Sequence, residues 1–238
     1  MTAHAMLTPQ AHADLRVRTD RAASLGDAVM SALIVPNEFR RVQNEYPILF
    51  RRNADRDGFT AIALFGFEGG ENLFLDEDRW DSGYLPLSMA IQPFLIGRQG
   101  DATGDKQVHV DMASPRIATA DGVRVFDEHG RPTPYLEDIA EKLGALDAGF
   151  QASAGFLAAL ARHDLLEPFT LDVTLDDGGR NSLVGFHVID EDRLRALDGD
   201  ALGALNAAGH LLPIFMAVAS LGRFNALIAR KNRRAARG

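Results

Sequence analysis

The sequence predicts an α+β protein, an antiparallel β-meander and hairpins with a helical middle section and a helical C-terminus. Three observations carry this prediction. Apolar runs of strand length, separated by short Gly-containing turns, fill residues 46–75 and 169–189. Apolar residues at helical spacing occupy residues 136–160 and return after residue 190. There is no βαβαβ alternation of the kind a doubly wound parallel sheet requires. With 238 residues, 46% hydrophobic and 24% charged, the chain can build a core without metal or disulfide staples. Its composition excludes collagen-like, low-complexity and disordered classes.

The elements follow in order. Residues 1–30 read as an N-terminal arm, Ala-rich and without clear period. Residues 31–230 read as a single domain, and 231–238 as a basic C-terminal tail. Pro36 opens a short helix running to about Gln43. Tyr46–Phe50 and Phe59–Phe67 read as strands joined by the polar turn Asn53–Gly58, and Asn72–Leu75 as a third strand of the meander. Tyr84–Leu87, Pro93–Gly97, Gln107–Met112 and Val123–Phe126 are shorter extended pieces. Leu136, Ile139, Ala140 and Leu143 mark one helix ending at Gly144. Leu146, Phe150, Ala154, Leu157 and Leu160 mark a second. Phe169–Leu175 and Asn181–Ile189 form a hairpin around Asp176-Asp-Gly-Gly179. Helices then follow from Glu191, from Asp200 to Ala208 and from Leu211 to Arg230.

The absence of cysteine removes thiol nucleophiles, disulfides, iron–sulfur ligation and Cys-based zinc sites together. A formal charge of −8 disfavours nucleic acid as a partner. Arg230, Lys231, Arg233, Arg234 and Arg237 are the local exception, and a solvated terminus is the expectation for them. The N-terminus has no basic segment followed by an apolar one, so a cytoplasmic location is expected, with surface association only by leaderless export. The longest apolar run, Leu211–Leu221, falls short of the ~20 residues of a membrane span, so no transmembrane segment is expected.

Asn53-x-Asp55-x-Asp57-Gly58 begins like a calcium loop, but Leu64 stands where the bidentate Glu belongs. No phosphate-binding loop and no Gly-x-Ser-x-Gly elbow is present. His109 and Asp111, at i and i+2 of a strand, share a face and with His187, or else His163 or His210, could form the facial triad of a non-haem iron oxygenase. The competing reading is two polar residues on a solvated strand face. Asp76-Glu-Asp78 and Asp190-Glu-Asp192 are acidic clusters, the second read as a helix cap. Leu64-Phe-Gly-Phe67 and Leu183-Val-Gly-Phe186 each lead into Asp-Glu-Asp-Arg, an echo compatible with a duplicated β-unit. Trp80, the only Trp, serves as a core anchor or a ligand platform.

Tyr46-Pro-Ile-Leu-Phe50, Ala63-Leu-Phe-Gly-Phe67, Glu71-Asn-Leu-Phe-Leu75, Trp80, Tyr84-Leu-Pro86 and Pro93-Phe94 occur in an order that resembles the SapC family of bacterial proteins. Ser114-Pro-Arg116, Phe126-Asp-Glu-His-Gly130, Leu166-Glu-Pro168 and Ser220-Leu221 extend the likeness over about residues 30–230. Gln92 departs from it, standing where the family has a Tyr, and His109 is not part of its pattern. The resemblance implies a surface-layer or envelope association through the family's name, and no catalytic residues. It points to Tyr46, Gly66, Glu71, Asn72, Trp80 and Pro86 as positions that either maintain the fold or form a binding surface. The sequence thus favours a non-enzymatic protein that binds a protein partner and needs no cofactor. The iron oxygenase and a small-molecule binder stand as alternatives.

Overall fold

The computed structural model describes residues 3–53, 55, 58–76, 79–98 and 106–236. In chain order it begins with β1 (His4–Met6), α1 (Pro9–His12), β2 (Arg16–Val17), β3 (Ser31–Leu33), α2 (Phe39–Val42), β4 (Ile48–Arg52) and β5 (Phe59–Leu64). There follow β6 (Leu75–Asp76), β7 (Arg79–Trp80), α3 (Leu87–Ala90), β8 (Phe94–Arg98), β9 (Lys106–Asp111), β10 (Ile117–Ala118) and β11 (Val123–Arg124). The remainder is α4 (Pro134–Arg162), β12 (Leu166–Thr174), β13 (Arg180–Ile189), α5 (Glu191–Ala196), α6 (Gly199–Ala207), α7 (Leu211–Ser220) and α8 (Phe224–Ala235). All strand pairs are antiparallel, and the architecture is mixed α+β with a helical middle and C-terminus. The chain divides into two compact units.

The first unit comprises residues 1–28, 75–80 and 87–148. It holds the sheets β1-β9-β8 and β10-β2-β11 and the ladder β6-β7. The first 28 residues therefore supply two strands, although no period announced them. Val17, Val110, Val125, Phe126, Ile139 and Leu143 are buried in its core. Among them lies an ion pair. Arg116 Nη2 donates to both oxygens of Asp27 at 2.6 Å, with side chains 1% and 0% exposed. Arg116 Nη1 donates to the carbonyls of Arg18 and Asp20, and Ala22 N donates to Asp27 Oδ2. Arg21 Nη1 faces Asp27 and the carbonyl of Met89, and burial lowers the Arg21 pKa. Such a pair needs these extra partners, because two charges removed from water lose more than their mutual attraction returns.

The second unit comprises residues 29–74, 81–86 and 149–238. Its sheet has the order β12-β13-β4-β5-β3. The predicted hairpin is found as β12 and β13, with register Leu166↔Ile189 through Thr174↔Arg180. Helix α7 packs on β13 and β4, burying Ile214, Met216 and Ala217, and Ile48 N donates to Ser220 Oγ at 2.9 Å. Phe156 meets Phe39 edge-on at 5.9 Å and lies 6.5 Å from Phe50.

Several expectations are corrected. The two helices predicted around Gly144 are one, α4, of 29 residues. Gly144 has open space around it, so the helix loses only the ~1 kcal/mol that Gly costs relative to Ala. Asn72–Leu75 does not complete the meander; β5 pairs with β4 and β3 instead. There Asn72 Oδ1 accepts from Phe74 N at 3.0 Å, a side-chain turn that diverts the backbone from a ladder. Residues 84–86 form no strand, and α3 begins at Leu87. The two Asp-Glu-Asp-Arg echoes differ in role. Asp76 lies in β6 with Glu77 and Asp78 outside the described residues, whereas Asp190 Oδ1 caps α5 by accepting from Arg193 N at 2.9 Å. In the turn after β4, Asn53 and Gly58 are joined by two hydrogen bonds, while Ala54, Arg56 and Asp57 lie outside the described residues. Helices Pro134–Arg162 and Leu211–Ala235 are, by length and composition alone, long and apolar enough to cross a membrane, which the eleven-residue run had not suggested.

Candidate functional site

Three of the singled-out motif residues, Gly66, Glu71 and Asn72, sit together in the second unit. Gly66 is fixed by a close approach: a Cβ there would lie 2.6 Å from the carbonyl oxygen of Glu71. Glu71 Oε2 accepts from Phe67 N at 2.8 Å, and its Oε1 accepts from Lys231 Nζ at 2.6 Å. Lys231 also donates to Glu68 Oε1 at 3.0 Å, where Asn181 Nδ2 donates as well. Asn72, buried, receives Arg234 Nη1 on its carbonyl at 2.7 Å. Arg230 bonds to the Asp81 carboxylate and carbonyl, and its guanidinium lies 4.4 Å from the Phe74 ring centroid. Burial draws the Lys231 pKa down, but the hydrogen bonds of Glu71 and then Glu68 outweigh it and leave the ammonium raised. Lys231, then Asn181, holds the Glu68 carboxyl below its ordinary value.

Three of the five basic C-terminal residues, Arg230, Lys231 and Arg234, therefore bond to other parts of the second unit, Arg234 from an exposed position. The signal was present in the sequence: Phe224, Leu227, Lys231 and Arg234 lie at i, i+3, i+7 and i+10, one stripe of α8 that turns from apolar to cationic where it reaches two glutamates. Arg233 is exposed, and Arg237 lies outside the described residues.

Tyr46 and Pro86 belong to the same unit and are buried. The Tyr46 ring meets Phe74 and Phe65 edge-on at 4.7 and 5.1 Å, and its hydroxyl donates to the carbonyl of Tyr84. The Tyr84 hydroxyl donates to Glu38 Oε1 at 2.8 Å, while Glu38 Oε2 accepts from Val35 N. Burial, followed by the Glu38 charge, pushes the Tyr84 phenol well above its usual range. These groups hold one another, an arrangement that fixes loops rather than presenting reactive atoms. Trp80 is in the first unit, half-buried on β7 opposite Leu75.

His109 and Asp111 share β9 of the first unit. The His109 imidazole fills the space over Gly97, 2.3 Å from where a Cβ would stand, and Asp111 Oδ1 accepts from Ala113 N at 3.0 Å. His187 is in β13 of the second unit, its ring 4.8 Å from Phe59. Among the described residues no group of three or more His, Asp or Glu could hold a metal ion.

Sequence reasoning missed a pocket in the second unit. It is lined by Ile34, Pro36, Phe59–Ala61, Phe150, Ser153, Ala154, Phe156 and Leu157, and encloses ≈ 270 Å³. Helix α4 supplies one wall and β5 the other. None of the lining side chains is ionisable, and Phe150 is 43% exposed. Beside Phe59, the Arg52 guanidinium lies 4.8 Å from the ring centroid. His187 Nδ1 is enclosed without a hydrogen-bond partner, and burial, then Arg52, lowers its pKa.

Fold and site together define an α+β protein in whose second unit Glu71 and Asn72 tie loops to the last helix and α4 and β5 line an apolar pocket. The chain belongs to the SapC family, whose family model, described as SapC, matches residues 7–227. No curated protein and no solved structure matches the chain.

Proposed function

We propose that this SapC-family protein is a non-enzymatic, partner-binding protein whose site is the pocket between β5 and the second half of α4. The observation that carries the reading is the pocket's chemistry: about 270 Å³, an apolar wall and an exposed Phe150. Small-molecule sites enclose ~300–1,000 Å³ and place a few polar groups for orientation. This pocket is smaller and suits one large side chain of a partner, the kind of buried anchor that dominates binding energy at interfaces. The family's name directs the search to envelope or surface-layer partners, reached from the cytoplasm by leaderless export. The test is affinity capture from native cells with the tagged full-length chain and its Ala154→Trp variant. Ala154 is an exposed helix position in the pocket lining, so the indole closes the pocket without entering the core. A stoichiometric protein recovered with the parent and lost with the variant, at equal melting temperature, is the expected result. Equal recovery by both, or flotation with phosphatidylglycerol vesicles and no protein partner, overturns the reading.

A further inference from the structure

Some described arginines of this acidic chain are matched to carboxylates: Arg21, Arg79, Arg116, Arg124, Arg131, Arg193, Arg195 and Arg230 each face an aspartate. Arg52 is not among them, and it stands beside the pocket. It is exposed at the end of β4, and among the described residues it makes no ion pair, only the contact over Phe59. A guanidinium resting on a ring is weakly hydrated on that face, while its in-plane donors remain directed outward. Phe59 is also a wall of the apolar pocket. One aromatic side chain thus separates an apolar cavity from an unmatched planar cation.

We infer that the partner segment seated in this pocket is acidic, with an aromatic or aliphatic side chain in the cavity and an aspartate or glutamate one or two residues along pairing with Arg52. This inference rests on the pocket reading given above. The reach is adequate: an extended segment advances ~3.3–3.6 Å per residue, and the guanidinium lies 4.8 Å from the ring centroid. Charge sharpens the selection. A chain of net charge −8 repels acidic segments in general, so a local cation beside the anchor cavity fixes the register in which one is accepted.

The probes are two peptides, acetyl-Phe-Gly-Asp-Glu-amide and its neutral isostere acetyl-Phe-Gly-Asn-Gln-amide. Each is titrated into the ¹⁵N-labelled full-length protein, and the amide shifts of Phe150 and Ala154 are followed. The acidic peptide is expected to bind about two- to fivefold more tightly, the span of an exposed ion pair. Arg52→Gln should erase that preference, so that the variant binds the two peptides with equal affinity. Equal affinities in the parent protein, or a preference that survives Arg52→Gln, overturn the inference and leave the pocket reading standing. The absence of shifts at Phe150 and Ala154 with either peptide overturns both.

Discussion

Lys231→Ala removes the cation at the centre of the α8 contact and leaves Glu71 with one partner, Phe67 N. The Lys231 and Glu71 side chains are each 15% exposed, so their bond lies between a surface pair and a buried one. A surface pair contributes ~0–1 kcal/mol, and breaking a fully buried pair costs ~3–5 kcal/mol. A charged hydrogen bond in this intermediate setting is worth about 1.5–3 kcal/mol. At ~1.4 kcal/mol per tenfold, α8 amides should then exchange roughly 10- to 150-fold faster. Native-state hydrogen exchange on the full-length chain reads this directly. Arg233→Ala, at an exposed site on the same helix, is the control and should move exchange by less than about threefold. Equal, small effects of the two substitutions would show that α8 is held by its apolar residues Phe224 and Leu227 alone, and the account of a cationic contact would be wrong.

Gly66→Ala forces a methyl to within 2.6 Å of the Glu71 carbonyl and should cost at least about 1–3 kcal/mol by urea denaturation, while Gly69→Ala, with nothing within 4 Å, should be close to neutral. Asp27→Asn leaves Arg116 buried without a counter-charge; a loss of about 3–5 kcal/mol is expected, reported by Trp80 fluorescence from the same unit. The His187 pKa is lowered from 6.5 on folding, so the unfolded chain binds more protons around and below that pH. Its contribution to stability is therefore complete above pH 6.5 and declines as the pH falls through the lowered value. His187→Gln should flatten the urea midpoint between about pH 7.5 and 5, and an unchanged slope would assign the acid sensitivity to other groups.

Local signals were legible, and long-range ones were not. Asp176-Asp-Gly-Gly179 announced the β12–β13 hairpin because Gly178, at φ +86°, adopts the conformation such a turn needs. The Leu136-to-Leu160 stripe announces α4, and Gly144 interrupts the pattern in sequence but not the helix. Ser31–Leu33 escaped notice because a three-residue edge strand has no period to read. The order of family motifs led to the correct family, and the structure gives Tyr46, Glu71 and Asn72 partners within the chain. The pocket was invisible from sequence. Its walls come from residues 34–61 and 150–157, which only the packing of α4 against β5 brings together. Lys231 and Arg234 look like a tail because five cations near a terminus resemble solvated charge, while their spacing continues the stripe of Phe224 and Leu227.

The course of the chain between its two units limits how the protein can be taken apart. It passes from one unit to the other five times, at residues 28/29, 74/75, 80/81, 86/87 and 148/149, and the last passage falls inside α4 rather than in a loop. No single cut yields either unit whole, and the cut that comes nearest severs a continuous helix of 29 residues. Neither unit can be exchanged as a cassette between relatives or expressed by trimming one end. Point substitutions in the intact chain are the practical instrument for assigning roles, and recombination would transmit this fold as a single heritable block.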